Sequence, residues 1–306
     1  MDISIQQLRM LREFSRQSTI ARAADVLGYT ASAVSQQLST AEKTTGVALL
    51  ERVGRNVMLT DAGRELVSHA ELILNSLDEA EAAIERLQGE VSGELRVFFF
   101  ESVGSTMLEP VMTRLRTSHP DLKLRTAFVD TDPSELVRRG ELDIAFAVER
   151  EAGSPERADL DRMLVCRDWL RLAVPAGSLD TTGPVNLEVA TDFEFVAPPP
   201  NDACSFAVNR AFATMPTSPL IAHRIADFPT VLRMVAAGAG AALVPDLGLV
   251  RVPDGVDLME LEQPQHRVIE LLSRSSSAER PAIAAFKTAV AEVAEELGLD
   301  RRQPNT

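Results

Sequence analysis

Residues 18–41 read STIARAADVLGYTASAVSQQLSTA, and the spacing within this stretch decides how the N-terminal region folds. Ser18-Thr19 supplies an N-cap for a helix that buries Ala21, Ala24 and Leu27, and Gly28 fits its C-cap. Thr30 caps a following helix whose inward face is Val34, Leu38 and Ala41. Ser32, Ser35, Gln36, Gln37 and Ser39 then point outward, a face that is polar, uncharged and short-chained. Upstream, Ile5, Leu8, Leu11 and Phe14 keep helical spacing and predict a first helix. Two helices joined by Gly28-Tyr29-Thr30, the second with a polar outer face, form a helix-turn-helix pattern. On helix spacing alone, an ordinary three-helix bundle with a merely solvated outer face accounts for these residues equally well.

The next segment separates the two readings. Leu49 to Thr60 forms two short β-like runs around Gly54, a hairpin with Arg52, Arg55 and Asn56 near its tip. This is the wing expected of a winged helix. Its arginines are placed to reach phosphates or the minor groove, while Ser35, Gln36 and Gln37 are placed to reach base edges. The charge distribution agrees. The chain carries a net −14, yet residues 1–60 hold seven Lys/Arg against five Asp/Glu, leaving +2 there and −16 on the remainder. A lightly cationic module is attached to an acidic body.

From Ala62 the pattern becomes one long helix. Leu66, Ala70, Ile73, Leu77, Ala80, Ile84 and Leu87 alternate in steps of four and three, a heptad seam, with polar residues elsewhere. A helix over 62–88 extends roughly 39 Å at about 1.5 Å per residue, too long to pack within so small a module. The seam predicts pairing with a second copy; the alternative is that it lies on the body of its own chain. Gly89 and Gly93 then mark a hinge.

After Gly93 the chain turns α/β. Leu95–Phe100, Leu122–Val129 and Leu142–Val148 read as strands, with helices over Met107–Arg116 and Pro133–Arg139 between them. Further strands follow at Leu170–Pro175, Phe193–Ala197 and Ala241–Pro245, with a helix near Thr230–Ala237. Such alternation fits two parallel-sheet α/β subdomains, about 93–165 with 267–300, and about 166–266. The expected division is therefore 1–61, 62–89 and 90–306. A length of 306 residues suits this, since roughly 100–200 residues make one domain. With 45% hydrophobic and 25% charged residues, disordered and low-complexity classes are excluded.

Chemistry is sparse. Cys166 and Cys204 have no metal-ligand spacing and are read as thiols, and His69, His119, His223 and His266 lie far apart, so no metal and no cofactor are expected. Gly238-Ala239-Gly240 lacks a third glycine and sits between helix and strand, the reverse of a dinucleotide loop; a tight turn and close packing explain it better. Glu101 to Thr106 leaves the carboxyl end of the first body strand and enters a helix. Ser102, Gly104, Ser105 and Thr106 therefore mark a candidate ligand site, or Ser105 simply caps the helix. Pro198, Asn201 and the Asp227-Phe228 turn would complete a cleft between the subdomains, and the helix N-terminus favours an anionic or strongly dipolar small molecule. An enzyme on the α/β body is the competing reading. It lacks any nucleophile–base pair that spacing can propose. No basic segment leads into an apolar run at the N-terminus, and no stretch reaches the roughly 18 apolar residues of a membrane span, so a cytoplasmic protein without a membrane partner is expected.

The order of parts resembles the LysR-type transcriptional regulators over essentially the whole chain. The matching residues are Ala23–Leu38, then Gly46-Val47, Leu50-Glu51-Arg52, Leu59-Thr60 and Ala62-Gly63; Gly140–Ala145, Ala173–Gly177 and Val235–Pro245 match in the body. The resemblance implies an N-terminal winged helix-turn-helix, a linker helix for dimerisation, and a two-subdomain effector region similar to periplasmic binding proteins. It implies contacts to double-stranded DNA through Ser32, Ser35, Gln36, Arg52 and Arg55, a homodimer or homotetramer, and RNA polymerase as a further partner; Thr30 and Gln37, on the same helix and its cap, are expected to join those contacts. A paired head predicts a roughly two-fold symmetric operator. The chain departs from the family in having Gln36 where Arg is frequent and Ala31 near a frequent Pro, so the recognised sequence does not transfer from relatives.

Overall fold

The computed structural model describes residues 2–54, 56–127, 132–149, 159–180, 183–200, 202 and 204–299. The chain divides into two compact units, Met1–Leu87 and Gln88–Thr306.

The first unit begins with α1 (Ile5–Gln17), where Ser4 and Gln7 form a reciprocal capping box. Thr19 caps α2 (Ile20–Leu27), which ends in the left-handed Gly28. Thr30 caps α3 (Ala31–Thr45). Leu11, Phe14, Ala23, Ala24, Val34, Leu38, Ala41 and Leu49 fill the core between these helices. Strands β1 (Leu50–Val53) and β2 (Asn56–Leu59) pair antiparallel, with Leu50 opposite Leu59 and Arg52 opposite Val57. Helix α4 (Asp61–Gln88) follows at once. Its Gly63 packs so closely on the Leu49 carbonyl that any Cβ would collide with it, which is why the smallest residue stands there.

In the second unit, β3 (Gly93–Phe98) leads into α5 (Glu101–Val103), a π-helical turn (Gly104–Leu108) and α6 (Glu109–Ser118). Next come β4 (Leu122–Ala127), α7 (Pro133–Arg139), β5 (Ile144–Val148) and the long β6 (Leu160–Pro175). The end of the strand expected to reach Val129 lies outside the described residues. Then follow β7 (Glu194–Ala197), α8 (Ser205–Ala213), β8 (Leu220–Arg224), α9 (Phe228–Ala236), β9 (Ala242–Pro245) and β10 (Val256–Met259). β11 (His266–Arg274) and α10 (Pro281–Glu296) close the unit.

Strands run in the order β10-β6-β11-β5-β3-β4, with β9 also on β6, and β7 pairs with β8. β3 is parallel to β4 and β5, and β7 is parallel to β8, as expected of crossover connections. The remaining pairings are antiparallel: β6 and β11 run antiparallel to each other, β11 to β5, and β9 and β10 to β6. The cause is the path of the chain. It leaves the first subdomain along β6 and returns along β11, so two oppositely directed strands must bridge the subdomains. β6 accordingly changes partners, facing β11 over Leu160–Trp169 and β9 from Leu170.

Each subdomain has its own core. Leu95, Val97, Met107, Val111, Phe146, Ile269, Phe286 and Val290 form one, where α10 returns onto α6 and β3. Leu172, Phe195, Val208, Phe212, Leu232 and Leu243 belong to the other. The Gly238-Ala239-Gly240 stretch is a turn: Gly240 has φ +131 and lies against the Glu194 carbonyl, leaving no room for a side chain.

Candidate nucleic-acid interface and effector site

The recognition surface is built on α3. Val34, Leu38 and Ala41 are buried, which turns Ser32, Ser35 and Gln36 to solvent. Thr30 Oγ1 accepts from the Ala33 N–H at 3.3 Å and lies 3.3 Å from Ser32 Oγ, so the hydroxyl expected at the interface also starts the helix. Gln37 differs from the expectation. One residue on from Gln36 it falls on the helix flank, half-buried against α1, where its Oε1 accepts from Gln7 Nε2 at 3.3 Å. The direction of that bond is fixed, because Gln7 Oε1 already accepts from the Ser4 N–H at 3.0 Å. Gln37 thus serves the α1–α3 packing, and Ser32, Ser35 and Gln36 form the outer face. Arg52 is exposed toward the tip of the hairpin, while Arg55 lies outside the described residues.

Along α4 the expected heptad seam splits. Ala70 is buried and Leu66 half-buried, both packed with Leu8, Leu74 and Ile3. These two residues belong to the core of the head, because the first turns of α4 close the bundle that α1 leaves open. Further along, Ile73 is 44%, Ile84 57% and Leu87 88% exposed, with Ala80 exposed and Leu77 half-buried. An apolar stripe of this length is left uncovered by the described residues of this unit.

In the second unit the chemistry gathers where the two subdomains meet. Arg267 on β11 and Asp168 on β6 stand opposite each other in register, both almost fully buried. Arg267 Nε donates to Asp168 Oδ2 at 2.9 Å, and Nη2 lies 2.8 Å from the same oxygen. Arg267 Nη2 also donates to Ser102 Oγ at 2.5 Å, and the Leu247 N–H donates to Asp168 Oδ1 at 3.0 Å. The guanidinium carbon sits 5.2 Å from the Phe100 ring centroid and 5.9 Å from that of Phe228. One buried cation therefore ties both crossover strands, the start of α5 and the start of α9 together.

This arrangement corrects the reading of the Glu101–Thr106 segment. It is helical, entered from an uncapped Phe100, and neither a free loop nor a helix capped by Ser105. The Ser102 hydroxyl is taken by Arg267, and the Ser105 and Thr106 hydroxyls donate back to the Ser102 carbonyl at 3.2 and 2.7 Å. Gly104 lies within the same π-helical turn. The Pro198 carbonyl accepts from Arg224 Nη1 at 2.8 Å, and Asn201 lies outside the described residues. Phe228 is buried at the α9 N-terminus, stacked over Arg267.

Glu101 opens α5. Partial burial and then the neighbouring Asp227 carboxylate push its carboxyl up to about 7, and Asp202 adds to this. Burial pushes the Cys204 thiol up to about 11, so it stays neutral despite the nearby Arg267. The pairing of Arg267 with Asp168 is a signal the sequence carries: both occupy inward-facing positions of strands whose other inward residues, Ser273 apart, are apolar.

Two family profiles match the chain, the lysR-family bacterial regulatory helix-turn-helix over residues 5–64 and the LysR substrate binding domain over residues 88–295. The chain belongs to the LysR family. It is similar to the probable HTH-type transcriptional regulator LrrA of Synechococcus elongatus, at 27% identity over 96% of this chain and 99% of that protein. The fold of this LysR regulator resembles a full-length OxyR variant from Pseudomonas aeruginosa (TM-score 0.71, 18% identity, 95% and 98% of the two chains). It also resembles full-length CbnR solved with its target DNA (TM-score 0.53, 22% identity, 95% and 99%). As a LysR-type regulator the protein binds DNA and controls transcription; it is not an enzyme. Members of the family respond to small-molecule effectors and form oligomers. None of the described helices is long and apolar enough to cross a membrane.

Proposed function

We propose that this LysR regulator reads the major groove with Ser32, Ser35 and Gln36, and grips phosphates or the minor groove with Arg52 and Arg55. The observation that carries this reading is the outer face of α3, where three polar side chains stand exposed over a fully buried Val34, Leu38 and Ala41. The exposed cations Arg22 on α2 and Lys43 on α3 add positive charge to the same module. Two such heads pair through Ile73, Leu77, Ala80, Ile84 and Leu87, which places them on a roughly two-fold symmetric operator in the cytoplasm. The effector binds where the subdomains meet, beside the Arg267–Asp168 pair. Its binding there shifts the subdomain arrangement through its differential affinity for two states. The carboxylates of Glu101, Asp202 and Asp227 at this junction, with Arg267 already engaged, favour an uncharged or donor-bearing effector over the anion that a bare helix N-terminus suggests.

Selection of binding sites from random duplexes tests the groove reading. Gln36→Ala should lose base preference at one position of each half-site, a cost of about 1–3 kcal/mol per bidentate contact, with the remaining positions unchanged. Identical selected sites for both proteins would remove Gln36 from the interface.

A further inference from the structure

The wing is a lone two-stranded hairpin, and such a hairpin holds no fixed orientation by itself. Its base is fastened from the recognition helix by Glu42 in particular, beside a Thr45 hydroxyl that donates to the Val47 carbonyl at 3.3 Å. Glu42, near the end of α3, uses one oxygen, Oε1, to accept hydrogen bonds from the N–H groups of both Leu49 and Leu50, each at 3.0 Å. Leu49 is buried in the head core and Leu50 opens β1, so these bonds fix the point where the wing departs. The far strand is fastened to the linker side. The Thr60 N–H donates to the Leu49 carbonyl at 3.0 Å, and Thr60 Oγ1 donates to the Ala48 carbonyl at 2.7 Å and accepts from the Gly63 N–H at 3.0 Å. Beyond these anchors Arg52, Val53 and Gly54 are exposed.

We infer that Glu42 is a positioning residue for DNA binding, holding the wing against the recognition helix so that Arg52 meets the backbone while Ser35 and Gln36 face the groove. The inference rests on the interface reading above and adds a residue that itself touches no DNA. Reach, not charge, sets the role, because one oxygen serves both amides. A glutamine keeps that oxygen at the same distance, and an aspartate, one methylene shorter, cannot span it.

The test is the salt dependence of binding of the full chain to a mixed-sequence DNA duplex. The proteins compared are wild type, Glu42→Gln, Glu42→Asp, Arg52→Ala, and Glu42→Asp combined with Arg52→Ala. Arg52→Ala should lower the slope of log K against log salt by about 0.9 for each bound head, the value of one phosphate contact, and so by about 1.8 when both paired heads are engaged. Glu42→Asp should lower it at least as much although it keeps the charge, the combined variant should match Glu42→Asp alone, and Glu42→Gln should keep the wild-type slope. A wild-type slope in Glu42→Asp, strict additivity in the combined variant, or a Glu42→Gln that behaves like Glu42→Asp overturns the positioning role. A wild-type slope in Arg52→Ala overturns the wing contact and this inference with it. Should Glu42→Asp lose its cooperative melt, amide exchange decides: Leu49 and Leu50 protected alike in wild type and Glu42→Gln supports the anchor, and rapid exchange of either in the wild type overturns it.

Discussion

The DNA-binding head and the subdomain junction solve the placing of polar groups in opposite ways. In the head, Ser32, Ser35 and Gln36 come from one helical segment and point outward, and the buried residues beneath them only aim the helix. At the junction, Ser102 and Arg267 lie 165 positions apart in the chain and meet in the interior, completed by Asp168 and the Leu247 amide. An outward polar group stays hydrated whether or not it has a partner. A buried charge must have its partners in place, because desolvation otherwise costs several kcal/mol. The head can therefore vary its reading surface freely, whereas the junction is committed to one set of contacts. Any effector that parts the subdomains must first disturb those contacts.

Removing the buried cation is the most severe way to break this contrast. Arg267→Met leaves Asp168 as an uncompensated buried charge, and a loss of about 3–5 kcal/mol is expected in denaturant unfolding of the second unit. Adding Asp168→Leu should recover most of it. A loss below about 1 kcal/mol would show that the pair is solvated and the contrast false.

A charge on the exposed stripe of the head sharpens the comparison at a surface site. Ile84→Glu should shift the protein from dimer to monomer in sedimentation, while its folding stability changes by no more than about 0.5 kcal/mol, as at other exposed positions. Persistent dimerisation would mean that the stripe is not the pairing face. Ala70→Glu, on the same helix but inside the head core, should instead abolish folding of the head.

The smallest effect concerns Glu101. Its carboxyl titrates near 7 in the folded chain against about 4.5 when unfolded, so the folded state favours the protonated form. That contribution is fully present below about pH 4.5 and is lost as pH rises toward 7. Because the group is largely exposed, solvent screening limits the change to about 1 kcal/mol or less. Wild-type protein should thus lose a little stability between pH 5 and 7 (about the span of the shift), and Glu101→Gln should lose less. Parallel pH profiles for the two proteins would show that neither burial nor Asp227 holds the Glu101 carboxyl protonated.

Local pattern made the head readable. Caps at Thr19 and Thr30, the glycine at 28 and the buried positions Val34, Leu38 and Ala41 are set by interactions within a few residues, and the structure has them where spacing puts them. Gln37 packs on α1 although its spacing turns it outward, because a helix flank looks outward until a neighbouring helix is packed on it. Leu66 and Ala70 read as part of a seam for the same reason: a heptad pattern reports which residues are apolar and not which surface covers them. In the body, the serine and threonine hydroxyls of Ser102–Thr106 matched a ligand loop, but a π-helical turn and Arg267 claim them.

The amino-acid order by itself determined the helix-turn-helix, the hairpin after it, the long apolar-striped helix and the alternating α/β body, because capping, periodicity and turn chemistry act over short separations. Only the tertiary structure decided how β6 and β11 cross between subdomains, that Arg267 and Asp168 face each other there, and that Glu42 fastens the wing. The strand crossing and the buried pair depend on which strands become neighbours, and chain topology, not local spacing, fixes that; the Glu42 bonds span only seven and eight residues but need the turn between α3 and β1 to fold back on the helix.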